Sequence, residues 1–135
     1  MIDKEIIKIA SNTENHGVLD NHTHSSKLKN AICGDEIKVY LIIQDNKILD
    51  FKYECESCIY CQASVSLLSK NAKNKSIEKI KKFTEQAMNI FEKNLQSFDK
   101  EFKEFNKIIK KNNISRKECL LLPFKTVAKA LNYKL

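Results

Sequence analysis

The chain has 135 residues, 42% hydrophobic and 30% charged, as expected for one globular domain that buries roughly two-thirds of its unfolded surface. Its net charge of +7 comes from lysines interspersed with acids, without the aromatic-interleaved basic strips of a nucleic-acid binder, and so suits an acidic protein partner better. No apolar run approaches the roughly 20 residues of a membrane span, and the start Met1-Ile2-Asp3-Lys4-Glu5 lacks a signal-peptide layout. In the reducing cytoplasm this implies, five cysteines point to metal or sulfur chemistry rather than to a disulfide framework.

Residues 3–10 set Ile6, Ile7, Ile9 and Ala10 among charges and predict a short amphipathic helix. Asn12 through His24 is polar, holds Gly17 and all three histidines, and reads as loop. There His22-x-His24 is either two exposed loop histidines, the plainer reading, or a contribution to a metal site. A strand near residues 25–31 is expected, because two strands alone are marginal in water. Ile37, Val39, Leu41 and Ile43 alternate as one strand, Asp45-Asn46-Lys47 turns, and Leu49, Phe51, Tyr53 and Cys55 alternate as the next. Such a hairpin returns the chain from Cys33 to Cys58.

From Gln62 the pattern is helical through Ala63, Val65, Leu67, Leu68 and Ala72. Ser76 is placed to cap a further helix running through Ile80, Phe83, Ala87 and Phe91. Phe91, Leu95, Phe98, Phe102, Phe105 and Ile109 follow at spacings of four and three, a helical seam expected to pack on the domain's own core. Asn94 to Ser97 is a possible break in it, with Ser97 or Asp99 as the next cap. The last helix opens at Ser115 or Arg116, with Leu120, Phe124, Val127, Ala128 and Leu131 on one stripe and Pro123 in its first turn. Cys119 then sits at a helix start, where the dipole favours a thiolate by about 0.3–1 kcal/mol. The expected fold is α+β: a small antiparallel sheet of about three strands packed against helices, in a single domain spanning residues 1–135.

Cys33-Gly34-Asp35 sets a thiol and a carboxylate two positions apart, across a glycine that permits a sharp turn. With Cys58 and Cys119 it makes three thiolates and one carboxylate, a set that suits four-coordinate zinc. The spacing excludes a zinc ribbon, so folding must assemble such a site from separate loops. A carboxylate is the more exchangeable ligand and suits a site that opens. The competing local reading is Cys55-x-x-Cys58-x-x-Cys61, spaced like an iron–sulfur ligand run but lacking the fourth cysteine and its proline.

Asn30-Ala31-Ile32-Cys33-Gly34-Asp35 resembles the Asn-Pro-x-Cys-Gly-Asp loop of the iron–sulfur assembly proteins IscU, SufU and the NifU N-terminal domain. Asn12-Thr13-Glu14-Asn15-His16-Gly17, Tyr53-Glu54-Cys55-Glu56-Ser57-Cys58, Ala63-Ser64-Val65-Ser66, Ala72-Lys73-Asn74-Lys75-Ser76 and Arg116-Lys117-Glu118-Cys119 are similar to further family motifs, in the same order. Thr13 and Ala31 replace family prolines, Cys55 and Ser57 replace glycines, and Glu118 replaces the histidine of IscU. The Leu-Pro-Pro-Val-Lys chaperone signal of IscU is missing; Leu121-Leu122-Pro123-Phe124-Lys125 lies on the wrong side of the cysteine to replace it. Arg116 and the absent histidine look most like the SufU branch.

The resemblance implies an iron–sulfur cluster assembly protein. Cys33, Asp35, Cys58 and Cys119 would hold zinc or a transient 2Fe-2S cluster, and Cys119 would accept persulfide sulfur. A cysteine desulfurase would be the donor, and recipient apo-proteins or downstream carriers would take the product. Three alternatives stand beside the scaffold: a zinc-dependent sulfurtransferase of SufU type, a structural zinc module or nucleic-acid adaptor, and a relative that keeps the fold without the sulfur chemistry.

Overall fold

The computed structural model describes residues 4–31, 34–92, 98 and 100–133. Helix α1 (Lys4–Ala10) precedes β1 (His24–Lys29), β2 (Glu36–Gln44) and β3 (Lys47–Glu56). Helices α2 (Ile59–Ala72) and α3 (Ile77–Glu92) follow, then two 3₁₀ segments, Lys100–Lys107 and Lys111–Arg116, and finally α4 (Lys117–Ala130). The strands form an antiparallel sheet in the order β1-β2-β3.

The hairpin closes through Asp45 and Asn46, both at positive φ (54° and 61°), as the mirror-image turns that match strand twist require. The register pairs Ile37 with Cys55, Val39 with Tyr53 and Leu41 with Phe51, which sets these residues on one face. A bulge at Ile42/Ile43 then shifts the phase of β3. Ile48 is therefore the buried residue and Leu49, expected on the inner stripe, is 43% exposed. The free edge of β3 is covered by the loop after α1: Tyr53 N–H donates to the Asn15 carbonyl and Gly17 N–H to the Tyr53 carbonyl.

The inner face of the sheet is covered by α2 and α4, which also pack on each other, and α1 lies against α2. Ser76 Oγ accepts from Lys79 N–H and caps α3 as expected. Two expectations need correction. The phenylalanine seam is not one regular α-helix: residues 100–107 and 111–116 wind as separate 3₁₀ segments, with kinks at Phe102 and Asn113. A spacing of three fits either winding, and the steps of four fall where the winding is interrupted, at the Phe102 kink and at 108–110. The seam still turns inward, with Phe98, Phe102, Phe105 and Ile109 buried. The proposed break and its caps, Asn94 to Ser97 and Asp99, lie outside the described residues. Pro123, expected in the first turn of the last helix, is the seventh residue of α4. It has no N–H to donate to the turn that carries Cys119.

Candidate metal centre

Three parts of the chain meet at one end of the sheet. Asp35 immediately precedes β2, Cys58 is the N-cap residue of α2, and Cys119 is the third residue of α4. The two helices lie side by side on the sheet and begin at the same end, so both cysteines come to the end where β2 starts and β3 finishes. One ligand atom from each of Asp35, Cys58 and Cys119 lies within 4.8 Å of the others. A tetrahedral ion with thiolate bonds of about 2.3 Å would draw its donors to about 3.8 Å apart, so a small contraction completes the fit. Two thiols and a carboxylate suit zinc or iron and are a poor set for magnesium or calcium.

Each donor is held by its surroundings. The loop leading to Asp35 is closed by Asn30 N–H to the Asp35 carbonyl (2.7 Å) and Gly34 N–H to the Asn30 carbonyl (2.8 Å). Gly34 supports this turn at φ +76°, a conformation that side-chain-bearing residues adopt at a cost. Cys58 N–H donates to Asp35 Oδ1 (2.9 Å), so the carboxylate is steered by the backbone of a neighbouring donor. Asp35 is 5% exposed and Cys119 4%, while Cys58 is half-buried. Both cysteines sit at helix N-termini.

Two contacts hold the helix starts together. The Arg116 guanidinium lies over the Tyr60 ring (5.2 Å), linking the residue before α4 to the second residue of α2. Deeper, the buried Ser64 hydroxyl of α2 donates to the Leu120 carbonyl, next to Cys119 (2.6 Å). Neither was legible as a long-range pair, because serine and tyrosine near a helix start carry no periodic signal. Ser64→Ala should cost about 1 kcal/mol, a typical net value for one hydrogen bond. A lower urea midpoint at unchanged slope would register it; an unchanged midpoint would mean that the bond is not what spaces the helices.

Cys33 lies outside the described residues. His22 and His24 are not members of the donor group: His22 Nδ1 meets the Leu19 carbonyl (2.6 Å), its ring packs on Tyr40, and His24 Nδ1 meets Thr23 Oγ1 (2.8 Å). Glu118, in the place of the IscU histidine, faces away toward Lys125 Nζ (3.2 Å). Of the local run Cys55-x-x-Cys58-x-x-Cys61, only Cys58 joins the group; Cys61 is fully buried one turn along α2. Burial pushes the Cys61 thiol up, as it does Cys55, with the Ser57 hydroxyl opposing the shift in both. Among the described residues the cysteines form no disulfide, and no helix is long and apolar enough to cross a membrane.

Residues 1–107 match the family described as the NifU-like N terminal domain. The iron–sulfur cluster assembly scaffold protein IscU of Thermotoga maritima is 33% identical over 131 residues, covering 97% of this chain and 92% of that protein. The zinc-dependent sulfurtransferase SufU of Bacillus subtilis is 34% identical over 67 residues, 50% of this chain and 45% of that one. The crystal structure of FiSufU from Fervidobacterium islandicum AW-1 superposes with a TM-score of 0.85 at 28% identity, over 96% of each chain. By its matched residues, its three-stranded sheet and its helices, the chain belongs to the NifU-like N-terminal domain family.

Proposed function

We propose that this chain is an iron–sulfur cluster assembly protein that accepts sulfur from a cysteine desulfurase and carries a nascent cluster to recipient apo-proteins in the cytoplasm. The observation that carries this reading is the meeting of Asp35, Cys58 and Cys119 within 4.8 Å, from three separate segments. Cys33, two residues before Asp35, is assigned as the remaining ligand. Zinc, when bound, would keep the thiols as thiolates and so store the nucleophile. The chain's own part is to hold two cysteines at helix N-termini, to steer Asp35 through Cys58 N–H, and to offer one carboxylate among thiolates. A donor that binds more weakly than its neighbours leaves first, which suits a centre whose contents move on.

Cys119 is assigned as the persulfide acceptor, at the dipole end of α4. The step balances as a sulfur transfer: the Cys119 thiolate attacks the outer sulfur of the desulfurase persulfide, that S–S bond breaks, and the desulfurase thiolate leaves. Because Cys119 is 4% exposed, a docked desulfurase must widen the mouth before transfer. The second reading, a zinc-dependent sulfurtransferase, draws support from the SufU relative and uses the same residues.

Anaerobic purification followed by incubation with ferrous iron, cysteine and a desulfurase separates the two. A scaffold gains iron and acid-labile sulfide in equal amounts, with brown absorbance. A transferase keeps one tightly held zinc and takes up no cluster. A chain that binds neither metal nor cluster would overturn both readings.

A further inference from the structure

Two thiols that the assigned ligand set does not use, Cys55 and Cys61, lie next to the centre. The β2–β3 register pairs Ile37 with Cys55 and ends with Glu36 opposite Glu56. Continuing it by one residue sets Asp35 opposite Ser57, with Cys55 as the diagonal neighbour of Asp35 on the same face. Diagonal neighbours of an antiparallel pair have Cα atoms about 7–8 Å apart and Cβ atoms closer, within reach of side chains. Burial follows the alternation: Asp35 and Ile37 are buried, and Cys55 is half-buried and packed against the core. Cys58 thus shares the donor group with Asp35, and Cys55 stands outside that group as the diagonal neighbour of Asp35 in the continued register.

The electrostatics agree with this placement. Burial is the main cause of the raised Cys55 pKa, and the Asp35 carboxylate adds to it. Cys61 feels Asp35, Cys55 and Cys58 together, but it is fully enclosed by the core. Cys55 differs in being half-buried: it borders an open cavity of about 300 Å³ that His16 and the outward-facing Glu36, Lys38 and Glu54 line, so it is not enclosed as Cys61 is.

We propose that Cys55 is a fifth donor of this centre, a thiolate that takes the place of Asp35 when the carboxylate leaves the ion or cluster. The inference rests on the assembly reading above and adds a residue to it. In the exchange the Asp35 oxygen–metal bond breaks, a Cys55 Sγ–metal bond forms, and the thiol proton leaves to water. Metal oxidation state does not change. A fourth thiolate closes the centre more tightly than a carboxylate, so the chain holds two coordination forms, one retentive and one labile.

Cobalt(II) titration tests this, because thiolate-to-cobalt charge-transfer absorbance grows with each bound sulfur. The proteins compared are the wild type, Asp35→Ala, Asp35→Asn and each Asp35 variant combined with Cys55→Ser. Asp35→Asn keeps an acceptor for Cys58 N–H and serves if the alanine variant fails to fold. The Asp35 variants should exceed the wild type in charge-transfer intensity by one thiolate and bind cobalt within about tenfold of it. Adding Cys55→Ser should remove that increment and weaken binding by about 100-fold, the upper end for losing a metal-supporting contact. An Asp35 variant without the increment, or a double variant that retains it, overturns the proposal. A wild type that binds no cobalt at all overturns the assembly reading instead, and this inference with it.

Discussion

Cys119→Ser is expected to raise the Kd for zinc by about 100-fold or more, because removing a ligand costs at least as much as removing its supporting partner, which already costs 10–100-fold. The effect is readable without any activity assay. With zinc at about 100 times the wild-type Kd, binding stabilises the native chain by about 2.7 kcal/mol; a hundredfold weaker variant keeps about 0.4 kcal/mol. Thermal melts with and without zinc should therefore separate widely for the wild type and nearly coincide for the variant. Because Cys119 is 4% exposed and serine is similar in size, the metal-free melts should stay close to each other. An equal zinc-induced shift in both proteins would remove Cys119 from the centre.

The largest loss of stability should come from Phe83→Ala. Phe83 is 1% exposed and is the hub of the aromatic cluster: stacked on Phe102 at 3.9 Å, and edge-to-face with Phe98, Phe105 and Phe124 at 5.2, 4.7 and 5.2 Å. Truncation forfeits its burial, leaves a cavity and breaks four ring contacts, for about 3–5 kcal/mol in all. The melting temperature should fall by on the order of 10–20 °C. Phe124 lies five residues beyond Cys119 on α4, so the variant should also bind zinc more weakly at temperatures where the wild type is unaffected. A loss below about 1 kcal/mol would mean that the neighbouring rings collapse into the space.

How far the sequence could be read depends on the range of the forces involved. Strand alternation is local, so β2, β3 and their turn were legible, as was the meeting of Asp35 with the Cys58 segment that hairpin closure demands. The bulge at Ile42/Ile43 was not, because nothing in Leu41-Ile42-Ile43 distinguishes a shifted register from a regular one; Ile48 and Leu49 therefore exchanged faces. The seam from Phe98 to Ile109 announced that it was buried without announcing its winding, since kinks between short 3₁₀ segments let residues three and four apart reach the same core. The sequence proposed a candidate site in two steps, of which the structure brings Asp35, Cys58 and Cys119 together while Cys33 lies outside the described residues. Residue chemistry offered a donor set with alternatives, and the family motifs selected Cys33, Asp35, Cys58 and Cys119. The packing of α2 on α4 that unites Cys58 with Cys119 is a long-range event with no periodic signature. Cys55 and Cys61 were visible only as parts of a competing ligand run with Cys58, because the orientation of a strand's last residues depends on the partner it pairs with.

The bond from Ser64 to the Leu120 carbonyl joins α2 and α4 through atoms that never touch a metal. The gap between the cysteine-bearing helix ends is thus gauged by the hydrocarbon interior and its buried hydroxyl before any ion arrives. Helix ends spaced by such a bond should keep their positions without a metal, unlike those of a zinc finger, whose shape departs with its metal. Loading should accordingly leave the far-ultraviolet circular dichroism spectrum unchanged, and the emptied molecule should be ready at once for the next delivery.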